Sequence, residues 1–351
     1  MDVQTAPPND KAPTAPKKSR LRAMAGWKKA LLGLCVLLLL LAGGVAAGGY
    51  LLYRRYDTQV QRQDLLGTAT TPQEAEQRDQ NWSDGPLNLL LLGSDSRATT
   101  PGGDSPIGER SDTIMLLHIA KSRDRAAIIS IPRDSYVDVP PGGDWNGGKN
   151  KINAAFSFGG VPLAAEAVQN LTGIRLDGAM IANFASIHTI VDAVGGVNVC
   201  VPYDVQSTFS AKLWTEGCHH MAGAETEEFM RQRYNVPDGD FGRMKDQQLV
   251  VKAIVTKVAS GDTLSNPLKF DKLLVTVAGA LTVDKDLDLR ALALAVKGIR
   301  PGAVKFATVP HSNAALKTKV GTAVQLAKTE SAAMFAAIKN DTIDQYLTEH
   351  P

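Results

Sequence analysis

The stretch that decides the fold reads Arg110-Ser-Asp112-Thr-Ile-Met-Leu-Leu-His-Ile-Ala120-Lys-Ser-Arg-Asp-Arg125-Ala-Ala-Ile-Ile-Ser-Ile131-Pro-Arg133-Asp134-Ser135. Two apolar runs of strand length and strand composition flank a short charged turn. So short a turn makes the runs antiparallel neighbours. The start of the first strand then lies beside the end of the second. Arg110 and Asp112 therefore share a sheet edge with Arg133 and Asp134. Cations and carboxylates together at one edge suit a divalent metal and a phosphate.

Working outward, residues 87–92 form a third apolar strand that ends in Gly93-Ser-Asp95-Ser-Arg97. If it runs parallel to the strand at Ala126, Asp95 and Arg97 join the same edge. Ligands in open α/β sheets bind at the carboxyl ends of strands. Residues 98–109 are rich in Gly, Pro, Ser and Thr and read as a loop. Residues 139–150 read as a second such loop. It carries Gly143-x-x-x-x-Gly148-Lys149, which imitates a phosphate-binding P-loop. Asn150 replaces the required Ser or Thr, and no strand feeds directly into the loop, so that reading fails. A helix opens at Lys151-Ile-Asn153 and extends over 162–171, where Pro162 suits a first helical position. Residues 180–199 read as strand, helix (186–194) and strand. Residues 208–223 form a polar excursion, and 224–230 a helix that runs into Arg231-Gln-Arg233. Gly239 and Gly242 bracket a turn that folds Arg243 back towards these arginines. In the helix over 244–258, Arg243 and Gln247 are one turn apart and face the same way. Guanidinium groups present a planar fork matched to phosphate oxygens. The tail has helical periodicity over 268–281, 287–296 and 324–338, with a strand over 304–309.

The organisation is equally legible. Residues 1–29 are Pro-, Ala- and Lys-rich and read as a disordered basic segment. Residues 30–53 contain no charged side chain, and that length spans a hydrocarbon core of about 30 Å. Ala46-Ala-Gly-Gly49 imitates a signal-peptidase site, but the apolar run continues past it, which favours an uncleaved anchor. Seven Lys and Arg residues between Lys11 and Lys29 precede the span, against Arg54 and Arg55 after it. The basic side stays in the cytoplasm and the rest lies outside. Residues 54–86 read as a polar spacer. Residues 87–351 form the extracytoplasmic domain, with its motifs in 87–260 and a helical tail in 261–351. Cys35 lies in the span, and Cys200 and Cys218 are the only others. Outside the cytoplasm such a pair is most simply a disulfide. With 38 Lys and Arg against 36 Asp and Glu the net charge is only +2. That removes the electrostatic argument for nucleic acid. The absence of a Gly-x-Ser-x-Gly elbow argues against a serine hydrolase.

The ordered set Gly93-Ser-Asp95-Ser-Arg97, Arg110-Ser-Asp112-Thr-Ile-Met, Ile131-Pro-Arg133-Asp134, Lys151-Ile-Asn153-Ala-Ala-Phe, Arg231-Gln-Arg233 and Gly239-Asp-Phe-Gly-Arg243 with Gln247-Gln248 resembles the LytR–CpsA–Psr family of bacterial cell-wall ligases. The Ala-rich composition and the cysteine pair suggest an actinobacterial member. The resemblance implies an α/β fold, an α-β-α sandwich with a central mixed sheet behind one transmembrane helix. It implies a phosphotransferase that moves a glycopolymer from a polyprenyl diphosphate carrier to peptidoglycan, forming a phosphodiester. It implies Mg2+ beside Asp112 and Asp95. It places Arg97, Arg110, Arg133, Arg231, Arg233, Arg243 and Gln247 on the diphosphate. Asp112, Asp95, Arg110 and Arg133 form the catalytic set, and either aspartate could be base or metal ligand. A pyrophosphatase using water, or a non-catalytic polyprenyl-phosphate-binding regulator, would need the same residues. Two departures stand out. Lys245-Asp246 occupies the place where an Arg often precedes the paired glutamines, and the loop between Arg97 and Arg110 is long.

Overall fold

The computed structural model describes residues 60–67, 82–94, 111–234, 236–259 and 267–350. The basic segment, the expected span over 30–53, and Asp95, Arg97 and Arg110 lie outside the described residues. Among the described residues no helix is long and apolar enough to cross a membrane.

The chain opens with β1 (Gln61–Gln63), followed by β2 (Leu87–Ser94), β3 (Ser111–Ile119) and β4 (Ala126–Ile131). The decisive hairpin is present: β3 and β4 are antiparallel, with Ile114 opposite Ile131 and Ile119 opposite Ala126. β2 is antiparallel to β3, so it runs in the direction of β4, as the sequence argument required. Ser94 lies opposite Ser111, and the carboxyl end of β2 therefore reaches the edge that carries Asp112.

Residues 139–150 differ from expectation. They hold the turn and most of the second strand of a hairpin, β5 (Tyr136–Val139) with β6 (Gly148–Lys151). Its glycines adopt positive φ at Gly143, Gly147 and Gly148, as a tight return between strands requires. A Cβ on Gly143 would lie 1.9 Å from the Phe158 carbonyl oxygen. Lys149, the residue that imitated a P-loop lysine, pairs with Asp138 across the hairpin at 2.9 Å.

Helix α1 (Ile152–Thr172) is broken at Gly159 and Gly160 and restarts at Pro162, which needs no N–H there. It ends on Gly173 at φ 62°, whose N–H bonds the Gln169 carbonyl. β7 (Gly178–Asn183) leads into α2 (Phe184–Ala193), which Asn183 and Ser186 close with a reciprocal capping box. β8 (Val197–Val201), β9 (Val205–Gln206), β10 (Leu213–Trp214) and β11 (Gly217–Met221) precede α3 (Gly223–Met230) and α4 (Asp240–Ala259). Then come α5 (Pro267–Ala280), β12 (Thr282–Asp284), α6 (Leu289–Val296) and β13 (Val304–Thr308). The chain closes with β14 (His311–Thr318), β15 (Gly321–Leu326), α7 (Lys328–Lys339) and α8 (Ile343–Glu349).

Seven strands build the central mixed sheet in the order β1-β12-β7-β2-β3-β4-β13. Alternation along β2 sends Leu90 and Leu92 into one core with α1, α7 and α8, and Leu87 and Leu89 into another with α6. Every residue of β4 is buried, as expected for a strand covered on both faces. The result is the expected helix–sheet–helix layering. The apolar faces around Leu163 to Val168 and Val250 to Ala253 are core. The tail is less helical than expected. Residues 321–326 belong to a hairpin with β14 and only 328–339 are helical, because Gly321 at φ 93° forms the turn after Thr318. Nor is 54–86 wholly a spacer: β1 is an edge strand of the sheet and Leu65 is 2% exposed.

Cys200 and Cys218 are joined, at directly opposed positions of β8 and β11. They staple a third core around Trp214 and Phe229. In the chain-entropy picture a loop of this size stabilises by about 3 kcal/mol. The double replacement Cys200→Ser with Cys218→Ser should lower unfolding free energy by that order in a denaturant titration. An unchanged midpoint would mean the bond is dispensable.

An arginine–carboxylate cluster at the strand ends

Asp112 sits one residue into β3 and is buried, at 8% exposure. Arg133 leaves the end of β4 after Pro132. The neighbouring helix fixes its backbone, since the Asn153 N–H donates to the Arg133 carbonyl at 3.1 Å and the Ile152 N–H to the Ser135 carbonyl at 2.9 Å. This explains why Lys151-Ile-Asn153 belongs with the Pro-Arg-Asp turn. The two free amides of the helix's first turn need acceptors, and the turn supplies them. Lys151 Nζ closes the arrangement 3.3 Å from Asp134 Oδ1.

The Arg133 guanidinium bridges two carboxylates. Its Nη1 donates to Asp112 Oδ1, and its Nε donates to Asp240 Oδ2 at 3.0 Å. Arg233 Nη2 takes the other oxygen of Asp112 at 3.0 Å. Arg243 Nη2 lies 2.8 Å from Asp240 Oδ1. Three guanidinium groups thus surround two carboxylates. Burial works against the charge on Arg133, but Asp240, Asp112 and Asp134 outweigh it and its pKa rises. Arg243 is 1% exposed. Burial pulls its pKa down to about 10, and Arg133 and Arg233 push the same way against Asp240 and Asp112. It is still a cation at neutral pH.

Arg243 Nε and Nη2 and Gln247 Nε2 are buried without a hydrogen-bond partner among the described residues. The approach of Nη2 to Asp240 is an ion pair without hydrogen-bond geometry. Nη2 is thus satisfied electrostatically, and Arg243 Nε and Gln247 Nε2 are the two donors of the cluster left without an acceptor among the described residues, each at a cost of about 1–3 kcal/mol. The paired glutamines tie α4 to the sheet. Thr113 Oγ1 donates to Gln247 Oε1 at 2.8 Å, while Gln248 Nε2 reaches Ser130 Oγ, the Ala307 carbonyl and Thr308 Oγ1 at 2.8–3.2 Å. The helix entry is tight. Gly239 has φ 57°, and a Cβ on Gly242 would lie 2.0 Å from the Pro237 carbonyl oxygen.

Of the expected site residues, the structure brings Asp112, Arg133, Arg233, Arg243 and Gln247 together. Arg231 pairs with Glu227 at 2.9 Å and stacks 4.5 Å over Phe184, which turns it towards α2 and α3. Asp240 was missed as the partner of both Arg133 and Arg243. Its signal was a carboxylate three residues before Arg243 at a helix start, where acidic side chains are favoured.

Asp246 also behaves unexpectedly. It is fully buried, accepts from the Tyr203 hydroxyl at 2.8 Å and leaves Oδ2 without a partner among the described residues. Burial pushes its pKa up to about 7, against the Tyr203 hydrogen bond and Lys245. Burial, then the Asp246 charge, pushes the Tyr203 hydroxyl up in turn. A raised carboxylate pKa means the folded state binds the proton more tightly than the unfolded chain. Stability is therefore lost as pH rises from about 4 to about 7, by up to about 4 kcal/mol. Asp246→Asn should raise Tm at pH 8 and leave it nearly unchanged at pH 4, in paired melts of variant and wild type. Equal shifts at both values would contradict this.

The domain gathers buried Arg243 and part-buried Arg133 and Arg233 around two carboxylates at its strand ends, and comparison with known proteins gives it a lineage. The model of the LytR_cpsA_psr family matches residues 50–340, and the chain belongs to that family. The Corynebacterium glutamicum cell wall biosynthesis protein LcpA is 28% identical over 272 residues, covering 66% of this chain and 51% of LcpA. The Enterococcus faecalis polyisoprenyl-teichoic acid–peptidoglycan teichoic acid transferase TagU is 32% identical over 213 residues, covering 60% of this chain and 65% of TagU. The chain thus spans about half the length of LcpA. Among solved structures, Bacillus subtilis TagV aligns with a TM-score of 0.60 at 26% identity, over 73% of this chain and 97% of TagV. The corynebacterial match agrees with the actinobacterial character of the sequence.

Proposed function

We propose that the protein is a membrane-anchored phosphotransferase that moves a glycopolymer from a polyprenyl diphosphate carrier to peptidoglycan. The observation that carries this reading is the cluster of Arg133, Arg233 and Arg243 around Asp112 and Asp240, with its orphaned buried donors. TagU, whose name states such a transfer from a polyisoprenyl carrier, supports the substrate class. The expected span over 30–53 would hold the domain beside the lipid carrier.

In the proposed reaction an acceptor hydroxyl oxygen attacks the phosphorus that bears the glycan. A new P–O bond forms, the P–O bond to the second phosphate breaks, and polyprenyl phosphate leaves. The hydroxyl proton passes to a carboxylate, Asp112 or Asp95. Such transfer needs positioning and charge neutralisation more than covalent help, and the stored diphosphate energy replaces ATP. Arg133 and Arg233 would orient the diphosphate, and Arg243 and Gln247 would satisfy oxygens from beneath. Arg97, Arg110 and Arg231 are proposed as further contacts.

Magnesium fits the donor set. It typically takes one or two carboxylates and completes its shell with phosphate oxygens and water. Asp112 is the buried carboxylate at this edge. Asp112, with Asp95, would hold the ion. When bound it would offset the developing charge on the phosphate oxygens.

Product analysis tests the proposal. Donor incubated with magnesium should be consumed faster when peptidoglycan fragments are present, with a glycan phosphodiester as product. Free glycan phosphate as the only product would instead mean a pyrophosphatase. Bound, unconverted donor would mean a carrier or regulator.

A further inference from the structure

Beside the cluster lies a cleft of about 450 Å³ that nothing above assigns. Its floor is the Pro132–Asp134 turn and Lys151, one wall is the first turn of α4, and the other is the β14–β15 hairpin. The hairpin is fixed to the domain through the Val324 N–H, which donates to the Asp134 carbonyl at 2.8 Å. His311 of the hairpin stacks on Phe241 of α4 with centroids 4.1 Å apart. The volume falls within the about 300–1,000 Å³ range of small-molecule sites.

We propose that this cleft seats the acceptor, a neutral amino-sugar segment of the peptidoglycan glycan strand; this rests on the transferase reading above. Three observations support it. Arg133 and Asp240 belong both to the cluster and to the cleft wall, so a hydroxyl held there reaches the phosphate site. The attacking and leaving oxygens of a phosphoryl transfer lie roughly in line, which demands an acceptor approach separate from the carrier's. The lining chemistry also fits. Asp134, Asp238 and Asp240 line the cleft, paired with Lys151, Lys245 and Arg133 respectively. Carboxylate oxygens can accept more than one hydrogen bond and so offer acceptors to sugar hydroxyls and amides. Phe241, Met244 and Ala314 supply apolar surface for a sugar ring face.

The unanticipated tail hairpin thereby acquires a role. The β14–β15 hairpin forms the acceptor wall, and most of its side chains are exposed.

The test uses the full chain in lipid nanodiscs. Ala314→Trp and Thr322→Trp each place a large ring in the cleft from an exposed hairpin position, away from the cluster. Binding of a soluble peptidoglycan oligosaccharide is measured by titration calorimetry without donor. Transfer KM for acceptor and KM for donor are measured separately. Both variants should weaken oligosaccharide binding and raise acceptor KM about tenfold or more, with donor KM unchanged. Wild-type acceptor binding in either variant would overturn the assignment, as would a rise in donor KM instead. If wild-type protein binds the oligosaccharide but transfers nothing, the transferase reading fails while the cleft assignment stands.

Discussion

Arg133→Ala should lower glycan transfer by about a thousandfold or more and leave the protein folded. Arginines that stabilise phosphoryl-transfer transition states contribute about 10³–10⁵ in rate. Arg133 is the member of the cluster that touches both carboxylates. Removing it does not strand either one, because Asp112 keeps Arg233 and Asp240 keeps Arg243. The stability loss should therefore stay near that of one charged hydrogen-bonded group, about 1.5–3 kcal/mol. Arg133→Lys should recover little, since a single ammonium cannot reproduce the fork that spans two carboxylates. Steady-state transfer and a thermal melt on the same preparation check both halves. A wild-type rate in Arg133→Ala would remove this residue from the site.

Arg243→Met should abolish transfer to a similar degree while matching or exceeding the wild type in stability. The reason is the state of Arg243 in the fold. It is almost wholly buried, its Nε lacks a hydrogen-bond partner among the described residues, and burial has drawn its pKa down to about 10. Each of these is a cost to folding. Replacing a whole buried ion pair by apolar groups of similar volume is often neutral or stabilising by about 1–4 kcal/mol, and removing Arg243 alone strands no charge because Asp240 keeps Arg133. Under the proposed function such a residue would serve the ligand at the expense of the fold, the usual trade between activity and stability. Tm and transfer rate should therefore move in opposite directions. A variant that melts well below wild type, or that retains activity, would show Arg243 to be structural.

Much of this was legible in the sequence because the signals were local. Two apolar runs around Lys121-Ser-Arg-Asp-Arg125 could only make a hairpin, and strand direction then set Asp112 and Arg133 at one edge. Arg243 and Gln247 shared a helix face by spacing alone. Pro162 marked the start of a helical segment. What escaped depended on tertiary pairing. Residues 321–326 join smoothly to a helical pattern and become a strand only because β14 lies opposite. Residues 61–63 are polar throughout and enter the sheet only by pairing with β12. The role of Asp240 required knowing that α4 begins against Arg133, which no spacing within either segment encodes. The burial of Asp246 was hidden for the same reason. Its partner Tyr203 sits 43 residues earlier, on the disulfide-stapled lobe.

The most direct measurement is a crystal structure of the protein with magnesium and a short-chain polyprenyl diphosphate. The diphosphate should lie with its oxygens within hydrogen-bond distance of Arg133, Arg233 and Arg243, with the metal on Asp112. A diphosphate bound elsewhere, with the arginine–carboxylate pairs unchanged around Asp112 and Asp240, would contradict the central claim that this cluster is the phosphate site.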